Sequence, residues 1–291
     1  MDPVGKPDRG PITHVSDTAR WVAMYRAMET DRADAHFRDP YARRLAGEKG
    51  AEIVRTMRNV RSWAWPHIVR TATIDDLVAR CVAQGADAVL NLAAGLDARP
   101  WRMDLPASLT WISVDYPDML AYVRDQLAAE RPRCVLQWEP ADLADAAQRR
   151  SVLARVGAAH RKVLVVSEGL LIYLGAEGAA ALADDLRAQA SFRWWALDIA
   201  SPRLLKMMQR SHRKQMAQAN AEFRFAPAES TGFFGPHGWK EVEWRGNWRE
   251  AIRLKRLPWA YNLFRPLSLL QSRKRRDEWE RFAGCALMEP G

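Results

Sequence analysis

The sequence predicts an α/β fold built on a mostly parallel sheet, and three observations carry that expectation. Short apolar runs alternate with helical patterns from about residue 87 to residue 199, which is how a parallel sheet covered on both faces reads. Several of those runs close on glycine or a carboxylate, the residue types that line a ligand crevice beyond the carboxyl ends of parallel strands. After Ile199 the alternation stops, and the chain ends in two segments of antiparallel-strand character.

Taken in order, residues 1–80 read as a helical cap, with Ser16 or Asp17 as N-cap to a helix over Thr18–Glu29 and Pro40 breaking the pattern. Strands are expected at Asp87–Ala94, Leu109–Asp115, Cys134–Trp138, Lys162–Ser167 and Arg193–Ile199. Helices fall between them at Pro117–Ala129, Asp142–Val156 and Ala176–Ala190, the last rich in the strong helix formers Ala and Leu. Residues 81–200 thus form the core, 201–240 an insertion and 241–291 the C-terminal strands, near Glu241–Arg245 and Cys285–Glu289. No repeat or low-complexity linker divides the 291 residues, so one domain is expected.

Composition narrows the class. At 48% hydrophobic content a sizeable core is available. No stretch of about 18 apolar residues and no leader-like N-terminus is present, so the expected address is the cytoplasm without a membrane span. Cys81, Cys134 and Cys285 are far apart and lack metal-ligand spacing, which predicts reduced thiols and no structural metal. The net charge of +9 is uneven. Residues 1–200 hold 26 basic and 26 acidic groups, whereas residues 201–291 hold 18 and 9, including Arg273–Arg276. Such a region suits nucleic acid, an anionic surface or an acidic ligand. The thirteen tryptophans are expected mainly in packing, with some available as an aromatic wall for a flat ligand.

The first run closes in Asn91-Leu-Ala-Ala-Gly95-Leu-Asp97-Ala-Arg99, the second in Asp115, the third runs on to Asp142-Leu143, and the fourth closes in Ser167-Glu168-Gly169. Asp115 lies 20 residues beyond Gly95, about the spacing at which a second-strand carboxylate meets the ribose of an adenosine cofactor. A dinucleotide fingerprint requires three glycines where this chain has Ala93, Gly95 and Ala98, so an NAD-linked oxidoreductase is disfavoured.

Read together, these segments resemble a known family. Val15-Ser-Asp-Thr-Ala19, Arg26-Ala-Met-Glu29, Phe37-Arg-Asp39-Pro40-Tyr41-Ala42, Val69-Arg70-Thr71, the Asn91–Pro100 segment, Val114-Asp115-Tyr-Pro117 and Ser167–Leu174 stand in the order seen in the leucine carboxyl methyltransferase family. The chain is most similar to its bacterial branch of S-adenosylmethionine-dependent O-methyltransferases, over roughly residues 12–200 and weakly through Gly238-Trp239. Ala93 departs from the family, where Gly is frequent. The resemblance implies a class I methyltransferase with a Rossmann-like sheet and an antiparallel last strand, using S-adenosyl-L-methionine. It further implies that Arg70 and Thr71 hold the methionine carboxylate and that Gly95 packs on the methionine part. Asp115 then accepts from the ribose hydroxyls, Asp142 and Leu143 border the adenine, and Glu168 lies near the sulfonium.

Methyl transfer needs orientation and exclusion of water more than a dedicated acid–base pair. The expected acceptor is a carboxylate or hydroxyl of an acidic small molecule, with His237 of Gly-Pro-His-Gly-Trp a candidate base for a hydroxyl. Pro202–Ala219 and the loop Ser230–Trp239 are expected to form a lid. In it Leu204, Met208 and His212 face inward, while Lys206, Arg210, Arg213 and Lys214 lie on the flanking surface. Asp39, Arg26, Asp97 and Arg99 suit ion pairing between cap and core. Modification of a tRNA base and a non-catalytic adenosine-binding role are the alternatives. The basic last third favours the first, and Ala93 with the missing base leaves room for the second.

Overall fold

The computed structural model describes residues 16–56, 60–211, 222–258 and 273–291. The expected N-cap side chains of Ser16 and Asp17, lid residues 212–219 with His212, Arg213 and Lys214, and the side chains of Arg273–Arg276 lie outside those described.

Seven strands form one sheet in the order β3-β2-β1-β4-β5-β7-β6. They are β1 (Ala88–Leu92), β2 (Thr110–Asp115), β3 (Val135–Pro140), β4 (Val163–Ser167), β5 (Phe192–Ala200), β6 (Trp239–Gly246) and β7 (Ala283–Pro290). Strands β1 to β5 pair in parallel. Strand β7 inserts between β5 and β6 antiparallel to both, so it alone runs against the others. Strands β1, β2 and β4 are buried along their whole length. Burial on both faces explains why they read as unbroken apolar runs and were found within one or two residues.

The helices are α1 (Ser16–Thr30), α2 (Ala42–Thr56), α3 (Val60–Ala83), α4 (Arg99–Arg102), α5 (Pro117–Gln126), α6 (Ala146–Ala159), α7 (Ala176–Arg187), α8 (Pro202–Ser211), α9 (Asn247–Arg253) and α10 (Arg273–Glu280). Helix α6 starts four residues later than expected because Asp145, not Asp142, caps it, accepting from the backbone N–H groups of Ala147 and Gln148. Helices α1 to α3 form the cap, whose residues Trp21, Tyr25, Leu45, Ile53 and Val69 share a core cluster with Leu96 and Trp101 beside β1.

In α8 the expected facing holds for the described part: Leu204 and Met208 line a cavity, and Lys206 and Arg210 are exposed. Ser230–Trp239 does not form a lid. Ser230–His237 is a 3-10 helix packed against α7 and β6, with Phe234 and Trp239 buried in the core against Trp195. Its apolar residues outweigh the Gly/Pro content that suggests an open loop.

Parallel strand order reverses between β1 and β4, and the crevice at such a point is where ligands bind. The turn leaving β1 is tight, with Ala93 at φ 52° and Gly95 at φ 54°. Both values lie in the left-handed region, which glycine enters freely and alanine does not.

A buried ion network joins this turn to the cap. Arg99, 3% exposed, donates from Nε to Asp75 at 2.6 Å, from Nη1 to Asp97 at 3.0 Å and from Nη2 to Glu168 at 2.8 Å. Arg102 reaches Asp75 at 2.7 Å. On α1, Arg26 pairs with Asp39 at 2.8 Å and donates to the Leu96 carbonyl at 2.5 Å. The Arg26–Asp39 pair lies within the cap and the Arg99–Asp97 pair within the core, while Arg99 with Asp75 and Arg102 with Asp75 and Asp39 are ion pairs that cross between cap and core.

Two outcomes follow from this geometry. Glu168→Gln removes the charge facing two guanidiniums and is expected to cost about 3–5 kcal/mol, the range for breaking a buried pair. Burial works to raise the Glu168 carboxyl, but Arg99 and Arg70 outweigh it and bring it from 4.5 down to about 2. Its stabilisation is therefore full above the unfolded value and lost as pH falls through the folded one. Urea midpoints between pH 6 and pH 2 should fall more steeply in the parent than in the variant. For the turn, Ala93→Gly relieves about 1–2 kcal/mol of left-handed strain and gives back about 0.5–1 kcal/mol of backbone entropy. The variant should match or slightly exceed the parent in denaturant midpoint at unchanged m value. A clear loss of stability would contradict the turn.

Candidate active site

A cavity of about 1310 Å³ opens at the carboxyl edge of the parallel strands, between the sheet, the cap and α8. Small-molecule sites commonly occupy about 300–1,000 Å³, so this one has room for two ligands side by side. Arg70, Thr71, Ala93, Gly95, Asp115, Asp142, Leu143 and Glu168 all line it. They come from α3 and from the ends of β1, β2, β3 and β4, and only the fold brings them together.

Asp115 closes β2, nearly buried. Its Oδ2 accepts from the Gly95 backbone N–H and its Oδ1 from that of Tyr116, both at 2.7 Å. Burial pushes this carboxyl up, and the two N–H donors pull it partly back. A carboxylate offers about four lone-pair sites, so two remain for further donors. The residue therefore braces the β1 turn as well as facing the cavity.

Beyond β3, the Asp142 Oδ1 accepts from the Ala144 N–H at 2.9 Å, with the Tyr116 hydroxyl 3.4 Å away. The Leu143 carbonyl accepts from Arg149 at 2.9 Å, which pins that loop to α6.

Arg70 donates from Nε to Glu168 at 3.0 Å and from Nη1 to Asp198 at 3.1 Å. Burial opposes its charge, yet Asp198 and Glu168 raise its pKa further above the ordinary value. Its Nη2 makes no hydrogen bond among the described residues. Thr71 is 1% exposed, and its Oγ1 is buried with no hydrogen-bond partner among the described residues. A buried hydroxyl left in that state is costly, and Thr71 lines the cavity.

Glu168 is no free carboxylate. Both its oxygens are held by guanidiniums, Oε1 by Arg70 and Oε2 by Arg99, and with its carboxyl near 2 it stays ionised. It cannot collect a proton at neutral pH.

Two functional candidates escaped the sequence. Asp198, on β5, accepts from the Gly169 N–H at 2.6 Å and holds Arg70. The strand-end rule applied to the fifth run, Trp195-Ala-Leu-Asp198, finds it. His67 lines the cavity one helical turn before Arg70, and its signal is that i, i+3, i+4 spacing with Arg70 and Thr71. The histidine that sequence reasoning chose is elsewhere. His237 Nδ1 is 2.7 Å from Asp184 of α7, and the residue does not line the cavity. Local context suggested a loop base, but its partner lies 53 residues upstream, where no local pattern points.

The whole-chain fold is shared with solved proteins. A DUF574 family protein from Streptomyces avermitilis superposes with a TM-score of 0.59 at 14% identity, covering 94% of this chain and 97% of that one. A protein from Thermobifida fusca provisionally described as a methyltransferase gives 0.56 at 14% identity, covering 99% of each. In sequence, the chain is 36% identical over 183 residues to a Frankia alni protein provisionally named an S-adenosyl-L-methionine-dependent methyltransferase, covering 59% of this chain and 63% of that protein. A Streptomyces avermitilis protein with the same description is 34% identical over 187 residues, covering 60% and 65%. The chain thus spans somewhat under two thirds of the length of these relatives. Residues 19–187, which hold nearly all of the cap, β1 to β4 and the eight cofactor-site residues singled out from the sequence, match the family description "Leucine carboxyl methyltransferase", and the chain belongs to that family.

Proposed function

We propose that the protein is an S-adenosylmethionine-dependent O-methyltransferase acting on a carboxylate or hydroxyl of an acidic small molecule. One observation carries the reading: eight residues drawn from four strand ends and a cap helix converge on one cavity large enough for a cofactor and an acceptor together. The donor set fits this cofactor. Asp115 retains acceptor sites for two ribose hydroxyls, Arg70 Nη2 and Thr71 Oγ1 offer donors to a carboxylate, and Asp142 and Leu143 border the space left for a purine.

Bound there, the cofactor supplies an electrophilic methyl on a positively charged sulfur. The chain's part is to orient, to balance charge and to exclude water. The connected network holds the carboxylates Asp39, Asp75, Asp97, Glu168 and Asp198 against the guanidiniums of Arg26, Arg70, Arg99 and Arg102. That leaves one negative charge beside the cavity, which favours a cation. An ionised carboxylate acceptor needs no base, whereas a hydroxyl acceptor needs one, and among the described residues His67 is the histidine that lines the site.

Calorimetry is expected to show S-adenosylhomocysteine binding in the micromolar range and NAD binding negligibly. Tighter binding of NAD overturns the assignment. Asp115→Ala should weaken that binding by about 1.5–3 kcal/mol, the worth of hydrogen bonds to a charged group. Because Asp115 also braces the Gly95 turn, the variant should lose about 1 kcal/mol of stability as well. An unchanged dissociation constant would place the ribose elsewhere.

A further inference from the structure

Helix α3 grades the cavity from mouth to floor. Trp63, His67, Arg70 and Thr71 recur at four- and three-residue intervals on one helix face, and all four line the cavity. Trp63 is 54% exposed, so it stands at the mouth, while Arg70 is tied to the strand ends through Glu168 and Asp198. At 1.5 Å per residue the stripe spans roughly 10 Å, with His67 between its ends.

The part of the cavity above the polar floor is walled by rings. On the side of α1, the Tyr25 and His67 rings lie 5.2 Å apart at 31°, and Trp21 meets His67 edge-on at 6.4 Å. On the side of the C-terminal elements, Trp65 meets Trp248 at 6.4 Å and Trp248 meets Trp279 at 6.3 Å. These six rings all line the cavity. Trp21 and Tyr25 also belong to the core cluster of the cap, whereas Trp65, His67, Trp248 and Trp279 keep partial exposure toward the cavity, unlike Trp111, Trp195 and Trp239, which are fully buried. Two sets of rings on one cavity lining match a flat π-system, which gains from stacked and edge-on contacts in addition to its buried area.

The floor opposes a strongly anionic acceptor. The guanidiniums of Arg26, Arg70, Arg99 and Arg102 already face carboxylates, and Arg203 at the rim lies 5.4 Å over the Trp279 ring. A neutral but acidic hydroxyl on an aromatic ring meets both conditions.

Resting on the methyltransferase reading above, we propose that the acceptor is a flat phenol held between these aromatic walls and that His67 takes up its proton. One imidazole nitrogen accepts the phenolic proton. The phenol oxygen forms its bond to the methyl carbon, and the electron pair of the broken carbon–sulfur bond stays on sulfur. The imidazolium then releases its proton to water. His67 lies one turn from Arg70, about 5–6 Å between Cβ atoms, and so stands beside the cofactor half of the cavity.

The test titrates 2-naphthol into the protein with S-adenosylhomocysteine present, reading calorimetric heat and tryptophan fluorescence, with hexanoate as the aliphatic acid control. Saturable binding and quenching by 2-naphthol, with none by hexanoate, is expected. Trp65→Leu and Trp248→Leu should each weaken 2-naphthol roughly 3–10-fold, the worth of an aromatic pair, without changing S-adenosylhomocysteine affinity. His67→Gln should leave S-adenosylhomocysteine affinity within about twofold, weaken 2-naphthol no more than the tryptophan variants do, and slow methylation of 2-naphthol at saturation by about 10²-fold or more. Binding of S-adenosylhomocysteine without 2-naphthol, or with hexanoate preferred, overturns this proposal and leaves the methyltransferase reading standing. Full turnover by His67→Gln overturns the proton transfer. Failure of S-adenosylhomocysteine to bind overturns the methyltransferase reading itself, and this proposal with it.

Discussion

The site depends on a charge that has been taken out of water. Arg99 is 3% exposed, and a guanidinium so placed costs several kcal/mol unless every donor finds a partner. Its partners come from three places: Asp75 on α3 of the cap, Asp97 in the turn after β1, and Glu168 after β4. Because burial is tolerated only with all three in place, Arg99 fixes the distance between cap and sheet, and with it the width of the cavity. Glu168 passes the constraint to Arg70, and Arg70 passes it to Asp198 on β5.

The same network bears on the backbone. Asp97 accepts from the Arg99 N–H at 2.9 Å and from the Asn91 amide at 2.8 Å, so the turn is tied at both ends. A turn held this way can keep Ala93 at a positive φ that costs an alanine about 1–2 kcal/mol. Substitution of alanine for the glycine frequent in the family thus leaves the tight turn intact, and strain is what it adds.

Legibility in the sequence followed the range of the interactions. Strands β1, β2 and β4 could be read because burial on both faces leaves an apolar run, and Asp115 and Glu168 because one closes such a run and the other follows it directly, while Asp142 stands two residues past the less buried β3. Asp75 and His67 were hidden, since a helix face shows only periodicity and not which element it will meet. Ser230–Trp239 was misread because Gly and Pro signal turns locally, while Phe234 and Trp239 are claimed by Trp195, distant in sequence. His237 failed for the same reason, its partner Asp184 being on another element.

How the charges are placed also separates the roles of the two acidic strand ends. Asp115 is buried with backbone donors alone, so its carboxyl is pushed upward and it remains able to accept further hydrogen bonds. Glu168 is buried between two guanidiniums, so it is pushed down to about 2 and both its oxygens are engaged. The first can gain from a ligand that brings hydroxyl donors, because each new bond relieves an unfavourable burial. The second has little to gain from a hydrogen bond and acts through its charge. On the proposed reading, recognition by hydrogen bonding falls to the β2 end and electrostatic balance to the β4 end. Glu168, held by two guanidiniums, is not left to accept a proton, and on the proposed reading a hydroxyl acceptor would pass its proton toward the cap, where α3 presents His67.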